Sequence, residues 1–560
     1  MVTAAAVALL CGCLPASASR GSSPLVRAPT PVQVENALPG TTAWQTRIGG
    51  SVDLYASPSS AAPGEPVGIY VSTADRYRLT VYRLGWYGGT GARLVACLPA
   101  CDADEQGTQQ LQRQGLTGGA AGWKVTDTLQ TGTDWTSGYY LVEAVLAHGG
   151  TATGFFILRQ AKDAPPSQIL VQVPINTWQA YNTWGGASLY NFLGPRSYAV
   201  SLDRPLGFMA QSPMWWEIQA VRFLEREGYD VSYQTDVDTD LDPGSLLRHR
   251  LVVIAGHDEY WSSVMRDGFD AALAGGTNLA FLGSNDAYWN VGYTADHRTI
   301  LSAKSLYDPN PVLREKTAMF REIGRPECEL MGVMHQFLVS LPMGLDYAVT
   351  DAGAADPWLA GTGFHAGDTI AGVVGREHDV INPYPESCFH PGLTVLFHYA
   401  GIGGDQKADA VRFTAPSGAR VFASGAQQFA WALDDWRSDG SLFPAPPVEP
   451  WRGVPVDPRL QQFMRNALDD LTRPPAPTGL TVERVDQLVQ ISVSPPADSR
   501  VLGFVAAVKT RTGWLRLCHG TSSCTATLPP GRRVRAIGAV NIDASHRASS
   551  AVFALVSRQP

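Results

Sequence analysis

Three apolar runs in the middle of the chain each stop at side chains that can bind a ligand or move a proton. Ile169-Leu170-Val171-Gln172-Val173 leads into Asn176-Thr177-Trp178-Gln179-Ala180-Tyr181-Asn182, with Ser188-Leu189-Tyr190 close behind. Leu251-Val252-Val253-Ile254-Ala255 runs through Gly256 into His257-Asp258-Glu259, and Asn278-Leu279-Ala280-Phe281-Leu282 runs through Gly283 into Ser284-Asn285-Asp286. An imidazole suits general acid–base chemistry near neutral pH, and phenol and carboxylate oxygens suit hard cations. A carboxamide can orient a carbonyl or steady an anion. Taken singly, each residue has a plainer reading. In a chain with 15 Trp and 19 Tyr, Tyr181 and Tyr190 are packing aromatics. His257 and Glu259 can open a helix at Ser262, and Asn285 can be a turn residue. The repetition in three loops favours chemistry.

Other catalytic signatures are missing from the sequence. There is no GxSxG elbow and no HExxH, and Gly88-Gly89 and Gly185-Gly186 lack the Lys and Ser or Thr of a phosphate loop. Neither Cys328 nor Cys388 directly follows an apolar strand, where a cysteine nucleophile would sit.

The elements around these loops fall into three zones. From about Val52 to Leu158, short alternating segments such as Val67-Gly68-Ile69-Tyr70-Val71 are broken by Gly and Pro, which predicts an N-terminal β-sandwich. After the linker Ala161–Ser167, apolar strands alternate with helical stretches at Met214–Glu227, Ser245–His249 and Ser262–Ala274, with a further strand at Tyr229–Tyr233. Strands apolar on both faces and separated by helices predict a doubly wound parallel sheet, interrupted by irregular insertions between Ala303 and Gly392. Ligands of such a sheet sit beyond the carboxyl ends of its strands, where the three loops lie. A second linker, Arg473–Pro477, precedes an alternating segment that predicts a fibronectin type III-like sandwich. The expected division is a signal peptide and leader over 1–33, a sandwich over 34–160, a central α/β domain over 161–472 and the last sandwich over 473–560.

The 560 residues carry 43 Lys+Arg against 51 Asp+Glu, a net charge of −8, which disfavours a nucleic-acid role driven by a basic surface. The apolar run Ala4–Leu14 before Ala16-Ser17-Ala18 predicts export, and is too short to span a bilayer. Leu10-Cys11-Gly12-Cys13 offers an alternative, a lipid anchor at Cys13. Either way the chain is secreted or at the cell surface. The other six cysteines then favour disulfides. Cys97 lies near Cys101 and Cys518 near Cys524, the latter expected to close a hairpin, which leaves Cys328 with Cys388. Zinc is the competing reading of the close pairs, but neither has a second pair or His cluster nearby.

In combination, TWQAYNTWGGASLYNF, GHDEYWS and LAFLGSNDAYW, with VENALPG, YRLGWYGG and VFASGAQQFAWAL, resemble the N,N-dimethylformamidase large (beta) subunit-like family from about Val34 to Arg473. The resemblance implies a lectin-like sandwich joined to a glutamine-amidotransferase-like α/β domain, with one ferric ion (Fe3+) per chain held by two tyrosines and a glutamate. Carried over by motif, the metal ligands are Tyr181, Tyr190 and Glu259, with His257 and Asn285 as polar catalytic residues beside them. It implies a metal-dependent hydrolase of carbon–nitrogen bonds acting on a small amide with a metal-activated water. A small-subunit partner or a homo-oligomer is compatible with it. The alternative is a non-catalytic cell-surface or secreted protein that binds glycans or other ligands and keeps a vestigial site.

Overall fold

The computed structural model describes residues 29–560, apart from 47, 102–118, 193–195, 208–212, 306–316, 339–343, 383–384, 402–405, 438–453, 486–487, 496–497, 499, 511–512, 529–533, 535, 544–546, 550 and 557–560. The leader and the anchor expected at Cys13 lie outside the described residues. The described chain is mostly β-structure, in seven sheets with few helices. No helix among the described residues is long and apolar enough to cross a membrane.

The N-terminal strands form a sandwich. β1 (Val52–Ser57), β3 (Pro66–Thr73) and β6 (Asp127–Gln130) make one sheet. β2 (Ser60–Ala61), β8 (Thr151–Leu158), β7 (Gly138–Leu146), β4 (Tyr77–Leu84) and β5 (Ala92–Leu98) make the other, in that order. Alternate residues of β3 (Val67, Ile69, Val71) are buried and share a core with Leu79, Val81, Val142 and Phe156 of the facing sheet. This is the two-fold side-chain period of strands that are apolar on one face.

The site rests on a nine-stranded sheet. Its first five strands are β11 (Val231–Thr235), β9 (Ile169–Val173), β12 (Leu251–Ile254), β14 (Asn278–Phe281) and β23 (Arg420–Ala423), all paired in parallel. The remaining four are β22 (Lys407–Thr414), β21 (Thr394–Ala400), β18 (Leu345–Val349) and β19 (Thr369–Val374), all antiparallel to their neighbours. The sheet is therefore mixed rather than parallel throughout, because the chain between β14 and β23 folds back to extend it, with β18 and β19 inside the segment read as irregular insertion. Helices cover both faces of the parallel part. Ile169, Val171 and Val253 share a core with Ile218, Val221 and Leu224 of α2 (Ile218–Arg226). Leu170, Val252 and Ile254 share the other with Met265 and Phe269 of α3 (Ser263–Ala274). The short helix α1 (Ile175–Tyr181) directly follows β9.

Two local expectations are corrected. The helix read over Met214–Glu227 is broken at Glu217 into Pro213–Trp216 and α2. There the Glu217 carboxylate turns inward to accept from Trp178 Nε1 (2.9 Å) and Tyr139 Oη (2.8 Å). The strand read at Tyr229–Tyr233 is β11, shifted toward the C-terminus.

The sandwich is tied to this layer by a buried ion pair. Arg83 of β4 meets Glu225 of α2 at 2.8 Å with both side chains fully buried, and Tyr233 Oη donates to the same carboxylate (2.9 Å). At the C-terminal end, after the helix α4 (Pro458–Leu471), β24 (Thr481–Val485), β25 (Leu488–Ser492) and β28 (Ser523–Thr527) form one small sheet. β27 (Gly513–Gly520), β26 (Val501–Thr510), β29 (Ala536–Asp543) and β30 (Val552–Leu555) form its partner around a shared core.

All three disulfides are formed: Cys97–Cys101, Cys328–Cys388 and Cys518–Cys524. Cys518–Cys524 does not close a hairpin. It joins β27 to β28, which belong to different sheets, because β28 turns away to pair with β25.

Candidate functional site

In chain order the parallel strands run 2-1-3-4-5 across the sheet, since the chain leaves β9 for β11 on one side and returns to β12 on the other. The loops after β9 and β12 thus diverge from a crevice at the carboxyl edge, the place where open α/β sheets bind ligands. Strands β12 and β14 reach it through glycines for lack of room. A Cβ on Gly283 would overlap the Gly256 carbonyl oxygen, and one on Gly256 would lie 2.7 Å from Trp216 Cβ.

The loop after β9 delivers both tyrosines. Tyr181 ends α1, the chain turns at Gly185 and Gly186 with φ of 81° and 92°, and the Leu189 amide returns to the Ala180 carbonyl (2.9 Å) just before Tyr190. The turn is clasped by Arg204, which is 1% exposed. Its guanidinium donates to the carbonyls of Trp184 and Ala187 (3.0 Å each), Gln179 (2.8 Å) and Asn182 (3.1 Å), and to Gln179 Oε1 (3.0 Å). The tyrosine rings consequently lie 4.4 Å apart, centroid to centroid.

Both hydroxyls point at one carboxylate. Tyr181 Oη donates to Glu259 Oε2 (2.7 Å), and Tyr190 Oη lies 3.1 Å from both Glu259 oxygens. Tyr260 Oη donates to Tyr190 Oη at 2.6 Å. Glu259 does not open the following helix, which starts at Ser263 after the short strand β13 (Tyr260–Ser262). Burial, then the Glu259 charge, raises both phenols well above their ordinary range, so with no cation bound they are neutral donors.

His257 sits behind this cluster. Its Nδ1–H donates to the Ser284 carbonyl (2.9 Å), and Nε2 faces Glu259 Oε2 (3.5 Å) and Glu377 Oε2 (3.4 Å) without a hydrogen bond to either. Burial disfavours its charge, but the two carboxylates outweigh burial and push it up to about 10. Asn285 takes the left-handed φ of 55° that asparagine tolerates. Its backbone N–H donates to Asp379 Oδ1 (3.0 Å) and its Nδ2 to Glu377 Oε2 (2.9 Å), leaving Oδ1 buried without a partner among the described residues.

The family model for the C-terminal part of the N,N-dimethylformamidase beta subunit-like proteins matches residues 78–441, more than half of the chain. The chain belongs to this family. None of the curated proteins matches it. Among solved structures, a superoxide reductase (neelaredoxin) from Ignicoccus hospitalis has 13% identity and a TM-score of 0.13, covering 20% of this chain and 81% of its own. A Paenibacillus sp. cycloisomaltooligosaccharide glucanotransferase has 10% identity and a TM-score of 0.16, covering 86% of this chain and all of its own. Neither likeness is close enough to bear on fold or chemistry.

The structure thus brings together all five residues singled out by the family resemblance: Tyr181, Tyr190, His257, Glu259 and Asn285. Among the described residues no group of three or more His, Cys, Asp and Glu side chains is arranged to hold a metal ion. A cation here would rely on the phenols. The donor set fits a hard trivalent ion, being all oxygen, with two ionisable hydroxyls already aimed at the one carboxylate.

Sequence reasoning missed Glu377 and Lys304. Glu377 opens β20 (Glu377–Val380), which pairs with β17 (Met334–Leu338) inside the segment read as irregular. Lys304, at a φ of 55°, lies with Nζ 3.4 Å from the Tyr190 ring centroid and 4.9 Å from that of Tyr260. Burial lowers it to about 7, against the pull of Glu259. The available signals were the charged triplet Glu377-His378-Asp379 between Val374 and Val380, and a single lysine in the Leu301-Ser302-Ala303 run.

Proposed function

We propose that the chain is an exported, ferric-iron-dependent hydrolase of carbon–nitrogen bonds with small amides as substrates. One observation carries the reading: two phenol hydroxyls from one loop and a carboxylate from another converge within 2.7–3.1 Å, at the crevice of the parallel strands. Tyr181, Tyr190 and Glu259 would hold one ion per chain, and as two phenolates and a carboxylate they balance a 3+ charge. When bound, such an ion would supply Lewis acidity toward an amide carbonyl and a water.

The chain's own residues handle the rest. His257, oriented by the Ser284 carbonyl, holds and moves the proton at Nε2 between water and the departing amine. Asn285 Oδ1, the unpartnered acceptor, takes an N–H or orients the substrate, while its Nδ2 stays fixed on Glu377. The Lys304 ammonium contributes positive charge beside the tyrosines where negative charge develops.

The 2-1-3-4-5 strand order supports a glutamine-amidotransferase-like kinship for the central layer, and three disulfides support an oxidising compartment. The test is iron content and visible phenolate absorption of the purified protein, with amine release from N,N-dimethylformamide and related small amides. Tyr181→Phe and Glu259→Gln are expected to lose iron, colour and hydrolysis together. Folded variants that bind iron as the parent does overturn the reading.

A further inference from the structure

Well away from the tyrosine cluster, a cavity of about 460 Å3 opens where the linker after β8 passes the edge strand β11. A second, of about 340 Å3, adjoins it on the side of residues 295–298. The two share Glu65, Arg159, Asp238 and Leu241. Each is within the roughly 300–1,000 Å3 usual for small-molecule sites.

Most of the charges around them are paired. Arg159, between the cavities, is bonded to Glu65 (3.1 Å) and Asp238 (3.2 Å), and Arg248 to Asp242 (3.1 Å). Arg298, in the second cavity, pairs with Asp203. No guanidinium of the lining is left to capture an anion among the described residues, and the carboxylates on Arg159 are not free to capture a cation; Lys162 and Asp296, both exposed, are the lining charges without an ion pair among the described residues.

The inner wall is polar but uncharged. His249, 5% exposed, donates from Nδ1 to the Ser167 carbonyl (2.8 Å), so its Nε2 carries the lone pair and has no partner among the described residues. Burial lowers its pKa to about 4, which keeps the ring neutral. Gln234 gives its amide hydrogens to Thr239 Oγ1 (2.8 Å) and Ser245 Oγ (2.9 Å), leaving Oε1 as a second acceptor. Ser245, having accepted, keeps a hydrogen to donate. Leu241, 61% exposed, adds apolar wall.

We propose that these adjoining cavities form a binding site for a neutral polyhydroxylated ligand, a short oligosaccharide. Hydroxyls can donate to His249 Nε2 and Gln234 Oε1 and accept from Ser245, while the C–H face of a sugar ring covers Leu241. A hydrocarbon would leave the acceptors unpaired, and an anion would face them with more lone pairs. A peptide backbone carries a fixed carbonyl for each N–H, whereas a hydroxyl rotates to suit. The site is independent of the metal reading.

Calorimetric titration of the full-length protein tests this with cellotetraose, maltotetraose, xylotetraose and chitotetraose. Inorganic phosphate and acetyl-tetraalanine amide serve as controls. At least one tetrasaccharide is expected to bind with millimolar or tighter affinity. Leu241→Arg, a change on an exposed side chain, and His249→Phe should each weaken it by about tenfold or more. The proposal is overturned if no tetrasaccharide binds, if Leu241→Arg leaves binding unchanged, or if phosphate or the peptide binds in its place.

Discussion

Replacing Arg204 with lysine should loosen the tyrosine loop before it unfolds the protein. The guanidinium makes five hydrogen bonds, four of them to backbone carbonyls between Gln179 and Ala187. An ammonium has three donors on a point charge, so at least two of these bonds are lost; Gln179 O and Oε1 would still accept from Asn182 N and Nδ2. At about 1.5–3 kcal/mol for each hydrogen bond to a charged group, the loss is about 3–6 kcal/mol. Because the bonds lie within one turn, most of this loss should appear as local opening. The assay is native-state hydrogen exchange at the amides of Gly186 and Leu189, which bond to Thr183 and Ala180 at 2.9 Å each. A loss of about 3–6 kcal/mol corresponds to exchange faster by about 140-fold to 20,000-fold. Exchange in Arg204→Lys within about threefold of the parent, with an unchanged urea midpoint, would refute the clasp.

Three further outcomes are expected. Glu225→Gln leaves the Arg83 charge buried without its counter-charge, and should cost about 3–5 kcal/mol in urea unfolding, with the sandwich face of α2 exposed first. Burial raises Glu217 from 4.5 to about 7 despite its bonds from Trp178 and Tyr139, so between those pH values the folded chain keeps a proton that the unfolded chain has lost. Stability should therefore fall by about 3 kcal/mol from pH 4.5 to 7, and Glu217→Gln should flatten that slope in urea midpoints taken at pH 5 and pH 8. Gly283→Ala must push β14 away from the Gly256 carbonyl, and a loss of more than about 2 kcal/mol is expected by thermal unfolding. An alanine variant as stable as the parent would show that the strand ends are not closely packed.

The loops bearing Tyr181, Glu259 and Asn285 were legible because each apolar strand is fully buried and stops where the sheet's edge begins, so composition changes where the geometry changes. Strand order was not legible, since nothing in Arg420-Val421-Phe422-Ala423 says that it lies beside β14. The antiparallel extension was hidden for a different reason. Pairings in β17, β18 and β21 are interrupted by register shifts, and β20 buries Glu377, His378 and Asp379. Charged residues in a short segment look like loop when only periodicity is available. The break at Glu217 was masked because the apolar residues on either side of it keep a helical spacing.

The way the parallel layer is completed has a bearing on biosynthesis. Strand β14 ends at Phe281, but its outer neighbour β23 is made only at Arg420–Ala423, after β17 to β22 have been synthesised. Until then a short, fully buried strand has an open edge, the kind of surface that recruits other chains. A fragment ending anywhere before residue 423 keeps that edge for good, and one ending before residue 471 also lacks α4, whose Phe463 packs against Phe422. Trimmed versions that retain the tyrosine and glutamate loops but stop in the 300s should therefore collect as aggregates, whatever their sequence promises for the site.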